Sequence, residues 1–197
     1  MKKFNDYNET KAITERPKIP AGGYIATIKQ AEVKEYSGQN GNYERLEISF
    51  DIAEGEYKEF YANDYRAQSD ENKKWKGVLR LAVPSDDGSD YDAFLKRKFK
   101  TNILAVEDSN TGYRWDWDEK KLKGKKIGLL LQNKEWEFGN KTGWTAQPYG
   151  FITVENVREG KFKIPKDKPL KKGDSAPQTS STTPADIEEI GDDDLPF

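Results

Sequence analysis

The strictest constraint on the fold lies in residues 43–54. Leu46, Ile48, Phe50 and Ile52 alternate there with Tyr43, Arg45, Glu47, Ser49 and Asp51. A two-residue period in apolarity is the signature of a β-strand with one face in a core and one in solvent. A lone strand pairs none of its own backbone donors and acceptors, so this one requires strand neighbours. Upstream, Ser37-Gly38-Gln39-Asn40-Gly41-Asn42 reads as a hairpin loop, which makes residues 24–36 the first strand. After the turn at Gly55, residues 57–66 read as a third strand, with Phe60 and Ala62 on one face and Tyr57, Tyr61 and Tyr65 on the other. Two further strands follow later, at about 125–137 (Ile127, Leu129 and Leu131 on one face) and about 144–157, joined by a loop at 139–143. Pro148 lacks an amide hydrogen, so it assigns the first half of the last strand to an edge or a bulge.

Between the third and fourth strands the period changes. Ser69 is placed to cap a short helix whose Trp75, Val78, Leu79 and Ala82 recur at helical spacing before Pro84. Ser89 and Asp92 form a capping pair for a second helix over about 90–108, with Leu95, Phe99, Ile103 and Val106 as its buried stripe and Lys96, Arg97, Lys98 and Lys100 clustered in its first half. Asn110-Thr111-Gly112 stops it. Three strands, helical material and two strands is the order of the oligonucleotide-binding (OB) fold. The expected fold is therefore mainly β with a helical insertion: a five-stranded OB-fold-like barrel over residues 20–165, followed by a disordered acidic C-terminal tail. Residues 1–19 are polar and aperiodic and read as a flexible arm. Residues 166–190, rich in Lys, Pro, Ser and Thr, read as a flexible linker to a tip at 191–197.

Composition narrows the chemistry. The chain has neither cysteine nor histidine, which excludes disulfides, Cys/His zinc sites and His-assisted nucleophilic catalysis. Two acidic groups, Asp86/Asp87/Asp90/Asp92 and Asp116/Asp118/Glu119, are candidates for a divalent cation. Gly88 falls too early for a calcium loop, so both read as helix-capping and loop acids. No phosphate-cradling glycine loop is present. The expectation is a protein that is not an enzyme and needs no metal or cofactor. No segment approaches transmembrane length, so no membrane partner is expected. The net charge of −2 conceals an asymmetry. Six acids and no base lie in residues 184–197, and without them the charge becomes +4. A basic body with an acidic tail suits a nucleic-acid binder whose tail recruits proteins.

The tip, Gly191-Asp192-Asp193-Asp194-Leu195-Pro196-Phe197, places an aromatic ring and a carboxylate together behind three aspartates. A small apolar pocket with a basic rim would capture it. It resembles the acidic C-terminal tip of bacterial and phage single-stranded DNA-binding (SSB) proteins. The body is similar to a family of phage-encoded SSB-like proteins in residues 99–113 (FKTNILAVEDSNTGY), 115–125 (WDWDEKKLKGK), 143–145 (GWT) and 162–168 (FKIPKDK). The N-terminal strand motif of ordinary bacterial SSBs is absent. The resemblance implies a sequence-nonspecific protein that coats and protects single-stranded DNA in phage replication or recombination, in the cytoplasm of a bacterial host. It also implies recruitment of replication or recombination proteins through Asp192, Asp193, Asp194, Leu195, Pro196 and Phe197, and it is compatible with a homo-oligomer. A non-DNA-binding adaptor of the same machinery is the alternative.

Holding single strands without sequence preference needs a basic groove for phosphates and exposed rings for base stacking. OB folds place the ligand across strands 2 and 3, between the 1–2 and 4–5 loops. On that map the stacking candidates are Tyr36, Tyr43, Tyr57, Tyr61, Tyr65, Trp136 and Trp144, and the phosphate candidates are Lys34, Arg45, Lys58, Arg66, Lys134 and Lys141. Glu47 and Asp51 share the strand-2 face and oppose binding unless they are paired with Arg45 or displaced to the rim. Trp75, Trp115 and Trp117 read as packing residues.

Overall fold

The computed structural model describes residues 2, 5–9, 17–38, 41–69 and 71–170. The linker beyond Leu170 and the acidic tip lie outside the described residues, as does most of the N-terminal arm. Ile19, assigned to that arm from sequence, is already buried in the core.

Five strands form one antiparallel sheet: β1 (Gly22–Gly38), β2 (Gly41–Ile52), β3 (Val78–Ala82), β4 (Lys126–Phe138) and β5 (Lys141–Ile152), in the order β3-β2-β1-β4-β5. The helices are α1 (Phe60–Ala67), α2 (Asp90–Ser109) and α3 (Val154–Glu159), with one 3-10 turn at Glu119–Leu122. Among the described residues no helix is long and apolar enough to cross a membrane.

β1 serves two partners. Its first part, residues 22–27, pairs with β4, and residues 26–38 pair with β2. Between Ile28↔Phe50 and Gln30↔Ser49 the register slips, leaving Lys29 as a bulge. A bulge bends and coils a strand, and here it also exchanges the faces. Ala26 and Ile28 point into the core before it, and Ala31 does so after it. The coiled sheet brings β2 and β5 over one core, where the rings of Phe50 and Phe151 meet edge to face at 6.2 Å.

The expected closed barrel is not formed: β3 and β5 remain the two edges of the sheet. Helix α2 lies along the β5 edge, and its side chains take backbone groups there in place of the fifth pairing that would close a barrel. Asn102 Oδ1 accepts the Phe151 amide at 2.7 Å, and Ser109 Oγ accepts the amide of Val154, just past the strand, at 3.0 Å. α2 itself forms where the capping pair places it, with Ser89 Oγ accepting the Asp92 amide at 3.0 Å. It buries Phe99, Ile103 and Val106 from the expected stripe, while Leu95 is only half-buried.

Two assignments made from sequence are corrected. Residues 57–66 are not a strand but a turn and helix α1, because Asp51, at the end of β2, caps that helix from a distance. Its carboxylate accepts the amides of Ile52, Tyr61 and Ala62 at 2.9, 3.0 and 3.3 Å. The third strand is Val78–Ala82, where a helix was expected from Trp75 to Ala82. The open edge of β2 recruits it through the pairs Arg45↔Ala82 to Ser49↔Val78. Trp75 donates its indole N–H to the carbonyls of Phe50 and Gly77.

A second, smaller layer covers the outer face of β1, β4 and β5 near Gly128. Ile25, Leu130, Ile152 and Val154 are buried there. Gly128 lies so close to α3 that a Cβ would meet Val157 at 2.7 Å, and a Cβ on Gly23 would enter the Phe162 ring at 2.6 Å. The chain then runs along the free edge of β4. The amide of Glu135 donates to Lys168 O at 2.9 Å and that of Lys168 to Asn133 O at 2.8 Å. Asn133 also holds Asp167, and Glu135 accepts the amide of Leu170. The first residues of the expected linker are therefore pinned to the sheet.

Replacing Asn102 with alanine leaves the buried Phe151 amide without its acceptor. Denaturant titration is expected to show a loss of about 1–3 kcal/mol, although alanine is the better helix former.

Candidate nucleic-acid interface

With α3 and the 160–170 segment covering one part of the outer surface, the part left open is formed by the second half of β1, by β2 and by β3. The register fixes what it displays. Tyr36 faces Tyr43, Lys34 faces Arg45 and Glu32 faces Glu47 across β1–β2, and Glu47 faces Arg80 across β2–β3. Directly opposed residues of an antiparallel pair share a face, so these side chains form one continuous patch.

Tyr36 and Tyr43 stack with ring centroids 5.6 Å apart and planes within 12°. The Arg45 guanidinium lies over both, 5.5 Å from the Tyr36 centroid and 5.1 Å from that of Tyr43. Such cation–π contacts are worth about 0.5–1 kcal/mol at exposed sites and hold the three groups as a unit. Both rings are half-buried, so each retains an accessible edge or face.

Glu47 is the hub of the patch. Only 8% exposed, it accepts hydrogen bonds from the Tyr36 hydroxyl (2.6 Å), Lys34 Nζ (2.9 Å) and Arg80 Nε (2.6 Å). Burial alone would raise its pKa. The three donors outweigh that and bring it from the ordinary 4.5 down to about 2. Hydrogen bonding to this carboxylate in turn raises the pKa of the Tyr36 hydroxyl. Lys34 also bonds Glu32 at 2.7 Å, and the two carboxylates keep its ammonium charged. The acid that opposed nucleic-acid binding in the sequence is thus neutralised by Lys34 and Arg80 rather than by Arg45. Asp51 is withdrawn altogether beneath α1.

The remaining site residues do not join this patch. Tyr61 is buried at 5% exposure against Phe50, and burial pushes its hydroxyl pKa upward. Tyr57 packs edge-on to Tyr24 and Phe60 against the core. Tyr65 is tilted on Trp75 with Lys73 over its ring. Arg66 bonds Asn63 and Glu59, and Lys58 lies in the exposed turn before α1. All five were expected on a third strand over residues 57–66 and instead belong to the turn and helix over 56–67.

Trp136, Trp144, Lys134 and Lys141 sit on the β4–β5 hairpin, which extends beyond the β1–β4 pairs at the end opposite to the β1–β2 hairpin. Trp136 lies across Gly143, whose Cβ would clash with the indole at 2.7 Å. Trp144 pairs with Glu135 and therefore faces the other side of the hairpin. Lys134 faces Thr145, and Lys141 adjoins the tight turn, where Gly139 takes φ +60°.

Of the tryptophans read as packing residues, Trp75 and Trp115 pack against the core, but Trp117 is exposed and stacks beside Phe99. Arg80 was missed. The alternation Val78-Leu79-Arg80-Leu81-Ala82 carried the signal, but the helical spacing of Trp75 to Ala82 obscured it.

Among the described residues no group of three or more acidic, His or Cys side chains is arranged to hold a metal ion. Asp92 accepts the Asp86 amide and pairs with Lys96, which also bonds Asp86. Asp118 caps the 3-10 turn, and Lys121 pairs with Asp116. No family model matches the chain, and no curated protein matches it either.

Because the folded carboxyl of Glu47 holds its proton less tightly than the unfolded chain does, its stabilisation is complete above the ordinary value of 4.5 and is lost as pH falls toward about 2. Thermal melts across that window are expected to fall less steeply for Glu47→Gln than for the unsubstituted chain.

Proposed function

We propose that this chain binds single-stranded DNA without sequence preference through the open outer face of β1 and β2, and that it coats and protects such strands in replication or recombination. The observation that carries this reading is the Tyr36–Tyr43 stack under Arg45. Paired rings held by a guanidinium form a preorganised platform for a nucleobase, with little side-chain entropy left to lose on binding. Any base can use it, because every base has a π-face.

The topology supports the same reading. The sheet order and the position of α2 between the third and fourth strands match an OB barrel that lacks only its last seam, between β3 and β5. In such a barrel the ligand crosses strands 2 and 3 beside the 1–2 loop, and the two tyrosines sit beside that loop. The resemblance of residues 99–125 to phage SSB-like proteins points the same way. The acidic sequence from Asp192 to Phe197 suits capture by a basic, apolar pocket on a replication or recombination protein.

Fluorescence anisotropy of a labelled thymidine oligomer across a salt series tests the reading. Binding is expected to weaken with salt at a log–log slope of about −0.7 per neutralised phosphate. Tyr43→Ala is expected to weaken it by roughly 1–3 kcal/mol, the worth of one stacked base, at every salt concentration. An adaptor that does not bind DNA would leave the oligomer's anisotropy unchanged at any ionic strength.

A further inference from the structure

Lys34 on β1 and Arg80 on β3 reach the same carboxylate on the strand between them. Each keeps donors free of that contact. Arg80 bonds Glu47 only through Nε, so its terminal N–H groups are not spent on that carboxylate, and its guanidinium also interacts with the Tyr36 hydroxyl. Lys34 has a third ammonium hydrogen beyond those directed at Glu32 and Glu47. Both cations are accessible, with side chains 45% and 51% exposed. The carboxylate between them is buried and has a donor on each oxygen, so it presents little free lone-pair density to an approaching anion.

Position matters as much as charge. Lys34 and Tyr36 are successive residues on one face of β1, and Tyr43, Arg45 and Glu47 are successive on the same face of β2. Successive same-face residues lie roughly 7 Å apart along a strand, a separation comparable to that between a stacked base and its neighbouring backbone phosphate. Tyr36 is tied to the cations directly, through the hydroxyl that shares Glu47 with them.

We propose that Lys34 and Arg80, clamped on Glu47, form the seat for a backbone phosphate of the strand whose base stacks on Tyr36 and Tyr43, and that Glu47 is its positioning residue. This rests on the single-strand reading above. Glu47 has two opposed effects. It fixes the two cations and the Tyr36 ring in one arrangement, and its negative charge offsets part of theirs. The seat is therefore well ordered but only weakly cationic, which suits a protein that must hold a strand and still release it.

The test uses the full chain and a fluorescein-labelled thymidine oligomer, read by anisotropy over a salt series, with Arg80→Gln, Glu47→Gln and, as a control, Arg158→Gln. Arg158 pairs with Glu54 on the α3 side, away from the patch. Arg80→Gln is expected to make the salt slope shallower by about 0.7, one phosphate contact, and to weaken binding most at low salt. Glu47→Gln keeps the size and an acceptor oxygen but removes the charge, and it is expected to steepen the slope and tighten low-salt binding. Arg158→Gln is expected to leave the slope unchanged. A residue with only a structural role would shift affinity equally at all salt concentrations and leave the slope alone.

An Arg80→Gln slope equal to that of the unsubstituted chain overturns the seat, and this exposed residue keeps the test decisive even if Glu47→Gln folds poorly. A folded Glu47→Gln whose slope does not steepen overturns the role given to the carboxylate. An unsubstituted chain that ignores the oligomer overturns the single-strand reading and the seat together, whereas binding with an unchanged Arg80→Gln slope removes the seat alone.

Discussion

β1 belongs to two hydrogen-bonded pairs at once, and the rest of the molecule is arranged around that requirement. Its first residues complete a ladder with β4 and its longer remainder completes one with β2. One straight ribbon doing both would give a flat sheet with an apolar side too wide for these few helices to cover. The extra residue at Lys29 resolves this by coiling the strand, so that Phe50 and Phe151, three strands apart in the sheet order, touch across a single core. The same residue reverses which side chains point outward. Without it, Tyr36 would lie on the opposite side from Tyr43, and the paired rings would not exist.

Where the sheet does not pair with itself, side chains stand in for backbone. Asn102 and Ser109 of α2 satisfy amides near the end of β5 and just past it, and Asp51 satisfies the first amides of α1. Each substitution avoids a buried unsatisfied donor, which is more damaging to stability than the net gain from an average hydrogen bond. Each also explains an architectural choice. α2 occupies the seam that would otherwise close a barrel, and α1 starts where a carboxylate waits for it. The polar groups buried in this protein are thus part of its chain path.

What could be read from the sequence follows from how local each determinant is. The alternation in residues 43–54, the apolar face of Ile127, Leu129 and Leu131, and the Ser89–Asp92 cap are each contained within a few residues, and the corresponding elements form where expected. Residues 57–66 and 75–82 exchanged identities because their states are decided by partners far along the chain: Asp51 for the first, the free edge of β2 for the second. The candidate site divides along the same line. Tyr43 and Arg45 were legible because β2 was. Tyr36 falls beside them only through a bulge that leaves no mark in composition. Arg80 and the true partners of Glu47 depended on the misassigned strand, while Tyr57, Tyr61 and Tyr65 were credited to a surface that they do not reach.

The attachment of residues 166–170 to the exposed edge of β4 sets a path for mechanical force. Tension applied to the sequence beyond Leu170 enters the body through Lys168 and Glu135, where backbone hydrogen bonds resist it in shear, with Phe162 seated over Gly23 as a further anchor. The stacked tyrosines project from the other end of the sheet and stand outside that path. A pull on the sequence beyond Leu170 would therefore strain the β4–β5 hairpin while leaving the β1–β2 hairpin unloaded.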